Sequence, residues 1–481
     1  MMVQTLKRLL AAALMTALIL GGNMTAETQD LPTPLRTIHV SPNGSINGTG
    51  TPEDPMRLFT ALQRAEPGDL VLLHSGDYPG GWFINRAGTS ENPIIYRAAP
   101  GERARIIGVM RVLAPHNWIW GLEITDPDNI APYHDGVGVY TGNVRLINNI
   151  IHHHCDDNGV GAWNTGEGQV YYGNIIYMNG CNPTPVPDGS RLRHPHNIYT
   201  QNDFDTNGLK YFIGNIVMDE GCDNGCNSVV AYTQDGEISG YVVEDNIFAN
   251  GVVLHGGYAP ADNVTYRNNA FYNAQMRFGY RDPVQFEFTG NYLGNSTFTT
   301  EWFWAADRLK TEPNVVTDNT FAFVELSFQT AMVHRRSDLG NHPIDTQDVW
   351  DRNTYIGTFS GRLAANRDAE GFGSVSEWQQ LTANAGNAFD RRSTVQTEAT
   401  TPYVILYPNE YEPDTVYIAV YNWSNASSVT VNLPGSHVIY NAQDLFGTPV
   451  AVGANAIHIP MSETFGVFVA CEWGGSGGGC L

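Results

Sequence analysis

One asparagine recurs through the middle of the chain in the same local setting, and it limits the fold more than any other feature. The segments are Leu146-Ile-Asn-Asn-Ile-Ile, Tyr172-Gly-Asn-Ile-Ile, Ile213-Gly-Asn-Ile-Val, Glu244-Asp-Asn-Ile-Phe, Arg267-Asn-Asn-Ala-Phe and Thr289-Gly-Asn-Tyr-Leu. They share Asn149, Asn174, Asn215, Asn246, Asn269 and Asn291, spaced 25, 41, 31, 23 and 22 residues apart. A β-solenoid coil takes roughly 22 residues, so the longer gaps read as loops inserted into regular coils. A buried turn needs its backbone groups satisfied. An asparagine amide both donates and accepts, so stacked coils can form a ladder of such amides. No leucine-rich motif competes with this pattern. The reading is an all-β chain whose main body is a right-handed parallel β-helix.

A second strand precedes each ladder segment: 136–141, 159–164, 197–201, 228–233 and 252–257. Alternation points Val139, Ala162, Ile198, Ala231 and Leu254 inward. It points Tyr140, Trp163, Tyr199, Tyr232 and His255 outward on successive coils, and such a stripe would run roughly 19 Å. Packing under a loop would explain it; so would a platform for the sugar rings of a polymer.

The densest polar cluster lies at the starts of three of these outer strands. One coil offers His134 and Asp135. The next offers His152, His153, His154, Asp156 and Asp157, and the third Arg191, Arg193, His194, His196, Asn197 and Tyr199. The long gap between Asn174 and Asn215 hangs a loop beside them, and loops on rigid scaffolds carry function. Turn histidines and aspartates also serve simply to satisfy backbone groups. A lyase needs a base, a group that neutralises a uronate carboxylate, and an acid for the leaving oxygen. His194 or His196 would be the base, Arg191 or Arg193 the neutraliser, Tyr199 or Tyr140 the acid. A hydrolase needs two carboxyl groups, which Asp135, Asp156 and Asp157 could supply. The expected substrate contacts are His134, Tyr140, Trp163, Arg191, Asn197, Tyr232 and His255. A third reading is a glycan-binding or matrix protein without catalysis.

Asp203-Phe-Asp205-Thr-Asn207-Gly208 fits the first half of a calcium loop, with Gly214 where the bidentate glutamate would stand. Calcium is therefore a candidate cofactor, with Asp203, Asp205 and Asn207 as ligands. The His152-His153-His154 run is a poor zinc site, because neighbouring strand residues face opposite ways.

Residues 37–110 include Ile38-His-Val-Ser-Pro-Asn-Gly, Pro67-Gly-Asp-Leu-Val-Leu-Leu, Gly76-Asp-Tyr-Pro-Gly and Glu91-Asn-Pro-Ile-Ile-Tyr. These phrases resemble the N-terminal part of the chondroitinase-B and alginate-lyase group of right-handed β-helix proteins, and the resemblance extends over roughly 37–295. It implies the fold and a polysaccharide substrate. That group's usual base is a lysine with an arginine nearby; Lys210 is the only lysine in the repeats, and the motif around it does not match. The order Asp135, Asp156-Asp157, His196, Lys210 also resembles the polygalacturonases, although His194-Pro-His-Asn stands where Gly-His-Gly would be expected. Both resemblances keep Lys210 among the catalytic candidates.

Leu58 to Ala65 has a helical pattern that would cap the open end of the solenoid. Residues 296–400, with Trp302, Trp304, Trp350 and Trp378, read as the last coils and a connection. From Pro402 short alternating strands take over, and Asn441-Ala-Gln-Asp-Leu-Phe-Gly-Thr-Pro-Val resembles the late strands of accessory β-sandwiches behind glycosidases. The expected organisation is signal peptide 1–26, linker 27–36, β-helix 37–395, β-sandwich 402–472 and a glycine-rich tail 473–481. Lys7 and Arg8 followed by Leu9–Leu20 and small residues carry the signal-peptide reading, with cleavage near Ala26. The apolar run is too short to span a bilayer. A secreted, extracellular or periplasmic monomer acting on a polysaccharide is expected, and the net charge of −23 argues against nucleic-acid binding. Six cysteines in an export context allow disulfides, the most local pairing being Cys155–Cys181, Cys222–Cys226 and Cys471–Cys480.

Overall fold

The structure is a computed structural model. It describes residues 31–473 except 129, 131–133, 155–156, 164, 181–195, 220–227, 234–237, 258–259, 280–282, 301–311, 324–332, 336–347, 358–363, 366–370, 373 and 385–387. The described residues form a right-handed parallel β-helix with three faces, followed by a five-stranded antiparallel sheet. The first face is a 12-stranded parallel sheet running from Arg36–Ser45 to Val349–Asp351. The second face holds the strands just after the ladder asparagines, such as Ile150–His152, Ile175–Tyr177 and Ile216–Met218. The third holds Val137–Val139, Val160–Ala162, Ile198–Thr200 and Val229–Ala231. Four long strands, Gly76–Ile84, Ala104–Val112, Ile247–His255 and Ala270–Phe278, run through both of these faces without a break. They join the two faces into one 20-stranded sheet.

The asparagine ladder exists and is longer than the six positions read from sequence. Asn319 and Asn353 extend it, and Asn353 ends it by donating to Asp390 Oδ1 at 2.9 Å. At each inner rung the Oδ1 accepts both the backbone N–H and the side-chain Nδ2–H of the preceding asparagine, as Asn215 does from Asn174, each at 2.9 Å. The residue before each rung is left-handed: Asn148, Gly173, Gly214, Asp245, Asn268, Gly290, Asp318 and Arg352 all have φ between 52° and 70°. That conformation favours glycine, asparagine and aspartate, which is the physical origin of the repeated Asn-Asn, Gly-Asn and Asp-Asn steps. A second ladder runs at the next turn through His154, Asn179, Asn197 and Ser228.

Strands of the second face are apolar on both sides because both sides are buried. Their inner residues, such as Ile151, Ile176 and Val217, enter the solenoid core. Their outer residues, among them Ile150, Ile175, Ile216 and Ile247, pack against Tyr417, Ala419, Tyr421 and Val469 of the antiparallel sheet. That sheet has Tyr403–Pro408, Thr415–Tyr421, Phe465–Glu472, Ser428–Asn441 and Ala451–Pro460 in spatial order. Its other side forms a second core of Ile418, Val420, Val431, Ile439 and Phe468. Polar contacts fix the dock: Tyr421 Oη donates to the Phe271 carbonyl at 3.0 Å and Trp423 Nε1 to Tyr292 Oη at 2.7 Å.

Helices close both ends of the solenoid. Leu58–Arg64 buries Leu58, Ala61 and Leu62 at the start. Val375–Asn384 brings Trp378 against Trp350 and Phe389 at the other end, so these two tryptophans lie in the core rather than among polar loops. Trp302 and Trp304 lie outside the described residues. So do five of the six cysteines, and no described cysteine is free. No helix among the described residues is long and apolar enough to cross a membrane.

Candidate functional site

The third face carries an aromatic patch built on two glycines. In register, Arg111, Gly138, Gly161 and Tyr199 occupy one outward column, with Val139, Ala162 and Thr200 inward beside them. A side chain at Gly138 would lie 2.6 Å from the Tyr140 ring, and one at Gly161 would lie 2.1 Å from Asp135 Oδ2. The Tyr140 ring therefore folds back over Gly138, and the Asp135 carboxylate rests on Gly161. The rings of Tyr140 and Trp163 stack at 6.0 Å with 11° between planes, and Tyr199 joins Trp163 at 5.3 Å.

Asp135 holds the patch from beneath. It is 4% exposed. Its Oδ2 accepts from Trp163 Nε1 at 3.0 Å and from the Tyr140 hydroxyl at 3.4 Å, and its Oδ1 accepts from Asn158 Nδ2 at 2.8 Å. Burial pushes this carboxyl above its usual range, against the pull of those donors. Asn158 ties three coils together. Its Nδ2 also donates to Asp157 Oδ1 at 3.1 Å, and its Oδ1 accepts the His196 backbone N–H at 3.1 Å. Sequence reasoning passed over Asn158, although it follows the Asp156-Asp157 pair directly. His196 is buried, with its ring stacked 6.2 Å from that of Tyr199.

Several expected roles change. Tyr199 directs its hydroxyl to the Tyr232 carbonyl at 2.9 Å and accepts from Gln201 Nε2 at 2.8 Å, so the hydroxyl expected to serve as the acid is engaged within the face. The Tyr140 proton points inward to Asp135. Tyr232 stands two coils from Trp163, with Gln201 between them in register. Asn197 is wholly buried as a rung of the second ladder. His255 does not face solvent. It pairs with Ala231 in the inward column and is 1% exposed, while Leu254 takes the outer column. A slip of one residue in a strand reverses every face, and that slip separates expectation from structure here.

Lys210 is not at the surface either. It is 1% exposed, and its Nζ donates to the carbonyls of Ala162 at 2.9 Å, Trp163 at 3.1 Å and Gln201 at 2.7 Å. Burial pushes its ammonium well below the usual lysine range. It pins the backbone of Ala162, Trp163 and Gln201 from within the solenoid. Of the histidine run, His152 meets Glu123 at 3.2 Å, His153 occupies a left-handed turn, and His154 is buried, its pKa pushed down to about 3.

The residues proposed for calcium form one helical turn, Phe204–Asn207. Asp203 caps it, accepting from Asp205 N at 3.0 Å and Thr206 Oγ1 at 2.9 Å, while Asn207 is buried and accepts from Gly166 N at 3.1 Å. These side chains thus serve the turn itself, and no group of three or more His, Cys, Asp or Glu side chains is placed to hold a metal among the described residues. Asp156, Arg191, Arg193 and His194 lie outside the described residues.

Arg111, beside this patch on the same outward column as Gly138, carries no signal in the sequence analysis either. One of its terminal nitrogens meets His134 Nδ1, and its guanidinium lies 5.7 Å from the Phe83 ring. A cavity of about 420 Å³ lies elsewhere, between the solenoid turns and the antiparallel sheet. Its lining includes Asp245, Asp318 and Glu410, an acidic set that suits an anionic polymer poorly.

Comparison with known proteins bears on the solenoid. Pectate lyase L from Thermoclostridium stercorarium is 32% identical over 130 residues, which cover 26% of this chain and 10% of that protein. The uncharacterized protein YwoF of Bacillus subtilis (strain 168) is 30% identical over 116 residues, covering 21% of this chain and 25% of that protein. This chain therefore spans only a small part of the length of either relative. Among solved structures, pectate lyase Pel9A superposes with a TM-score of 0.42 at 16% identity, over 75% of this chain and 90% of that one. XylC in complex with xylose gives 0.43 at 11% identity, over 90% and 100%. The family model for Pel9A-like right-handed β-helix regions matches residues 38–179, a stretch that carries Asp135, Tyr140, Asp157 and Trp163.

Proposed function

We propose that this chain is a carbohydrate-active enzyme that cleaves a uronate-containing polysaccharide by β-elimination. The observation that carries the reading is the Tyr140–Trp163 stack anchored on Asp135, set within the Pel9A-like stretch. A rigid pair of parallel rings on an outer strand face suits the apolar face of a sugar. The first relative's name, pectate lyase, supports a uronate substrate.

In the elimination a base removes the proton beside the uronate carboxylate. Those electrons form the new carbon–carbon double bond, the glycosidic carbon–oxygen bond breaks, and the leaving oxygen takes a proton. His194 or His196 is the proposed base and Arg191 or Arg193 the proposed group that neutralises the uronate carboxylate, from their place in the sequence. Asp135 and Lys210 act as positioning residues. No step is assigned to calcium, because Asp203 and Asn207 are engaged in hydrogen bonds of the helical turn and its surroundings. Export through the N-terminal signal peptide, action as a monomer and the local cysteine pairing belong to the same proposal.

One observation favours hydrolysis as a second reading. Asp135 Oδ1 and Asp157 Oδ1 share the Asn158 Nδ2, at 2.8 and 3.1 Å, so they lie no further apart than those two lengths laid end to end. That is closer than an inverting pair requires and compatible with a retaining pair.

Incubation with polygalacturonate, alginate and xylan separates the readings. Elimination yields an unsaturated, ultraviolet-absorbing product; hydrolysis yields reducing ends without that absorbance. Unsaturated product from an acidic polymer, lost in Trp163→Ala, is expected. Reducing ends alone would move the assignment to a hydrolase. Binding with neither product would make the chain a glycan-binding protein.

A further inference from the structure

We propose that Arg111 receives the carboxylate of an acidic sugar seated on the Tyr140–Trp163 platform, and that it makes the site selective for anionic over neutral glycans. This rests on the reading of the platform as a glycan site and names its specificity residue.

Position comes first. Strand Ala104–Val112 places Arg111 in register with Gly138, over which the Tyr140 ring folds. The arginine therefore stands one coil from the platform, on the same outward column. Phe83 continues that column one coil further and is 47% exposed. The result is a run of ring, cation and ring along one face.

Charge comes second. The chain carries −23, so an anionic polymer is repelled unless a cation acts locally. Several of the described arginines already pair with a carboxylate: Arg36 with Asp69, Arg97 with Glu412, Arg103 with Glu123, Arg105 with Asp77, Arg352 with Asp318 and Arg392 with Asp351. Arg111 differs. Its hydrogen-bond partner is a histidine nitrogen. The nearby acid, Asp135, lies buried beneath the rings and is occupied by Trp163 and Asn158. A guanidinium offers a planar fork of donors that matches a carboxylate, so the unfilled part of the fork suits a uronate. His134 and Phe83 hold the fork at the platform's edge rather than neutralising it.

Calorimetric titration with trigalacturonate and with its methyl ester tests the assignment on the full chain. Wild type should bind the acid at least about tenfold more tightly than the ester, the scale of one charge-assisted pair. Arg111→Ala should lose about that factor for the acid and leave ester binding within about twofold, while Arg111→Lys recovers part of the loss. Arg105→Ala, on the same strand but paired with Asp77, should match wild type. Equal loss for acid and ester, or no loss, overturns the assignment. A wild type that binds acid and ester alike leaves the platform standing and removes Arg111's role. A wild type that binds neither sinks the platform reading together with this one.

Discussion

Replacing Asn215 by alanine tests the ladder where it is best defined. The side chain is 1% exposed and makes four hydrogen bonds, each at 2.9 Å. Two are accepted from the Asn174 backbone and amide, one is donated to the Tyr171 carbonyl and one to Asn246 Oδ1. Alanine strands the Asn174 N–H and removes a donor from Tyr171, both in the interior. A buried group left without its partner costs about 1–3 kcal/mol, so the loss should be about 3–4 kcal/mol. Set against a typical domain stability of about 5–15 kcal/mol, that is a large fraction. The internal control is Asn273→Ala, an exposed asparagine with φ of 48° whose amide reaches only Asn250 Oδ1. It should cost about 1 kcal/mol, for the left-handed backbone alone. Urea unfolding followed by circular dichroism reads both. A midpoint shift for Asn215→Ala no larger than that for Asn273→Ala would refute the view that ladder amides hold the coils together.

Further outcomes follow from single groups. Burial, with Glu244 and Glu410 nearby, pushes the Asp245 carboxyl up to about 7 from 3.8. A folded-state acid with a raised pKa binds more protons than the unfolded chain, so its destabilisation is absent near pH 4, grows as pH rises and is complete above 7. Asp245→Asn keeps the left-handed turn that Asn148 and Asn268 already adopt, and should stabilise by about 1–3 kcal/mol at pH 8 and by nothing near pH 4 in thermal unfolding. His154, pushed down to about 3 by burial, acts in the other direction: stability present above 6.5 is lost as pH falls toward 3, so the wild-type melting temperature should drop across that window. Asp135→Asn should keep the fold but loosen the Trp163 ring, lowering turnover on any polymer the wild type cleaves about tenfold or more; unchanged turnover would remove Asp135 from the site.

Much of this architecture is legible in the chain because the ladder needs two adjacent residues of restricted kinds. A left-handed residue followed by a buried amide leaves Asn-Asn, Gly-Asn or Asp-Asn at every rung from Asn149 to Asn291. Asn319 carries the same signature after Asp318 and could have been read. Asn353 follows Arg352, which breaks the pattern, and long gaps surround both. Faces are harder to read than rungs. Alternation alone points His255 outward, and only its pairing with Ala231 fixes it inward. Lys210 had no local signal of burial, since two of its three carbonyl partners, Ala162 and Trp163, lie 48 and 47 residues earlier in the chain. Arg111 escaped notice because it precedes the visible repeats, within a long strand shared by two faces. At Gly138 and Gly161 the missing side chains leave room for the neighbouring Tyr140 ring and Asp135 carboxylate, a relation that only the coil register reveals.

Oxidative footprinting of tyrosine and tryptophan, with and without polygalacturonate, tests most directly whether substrate lies on the third face. Tyr403 at 48% exposure and Trp473 at 62% are far more open than the platform rings and serve as controls outside it. Protection concentrated on Tyr140, Trp163 and Tyr199, with the controls oxidised as before, is the predicted result. Protection at Tyr403 in the acidic cleft, with Tyr140 and Trp163 unchanged, would contradict the placement of the site.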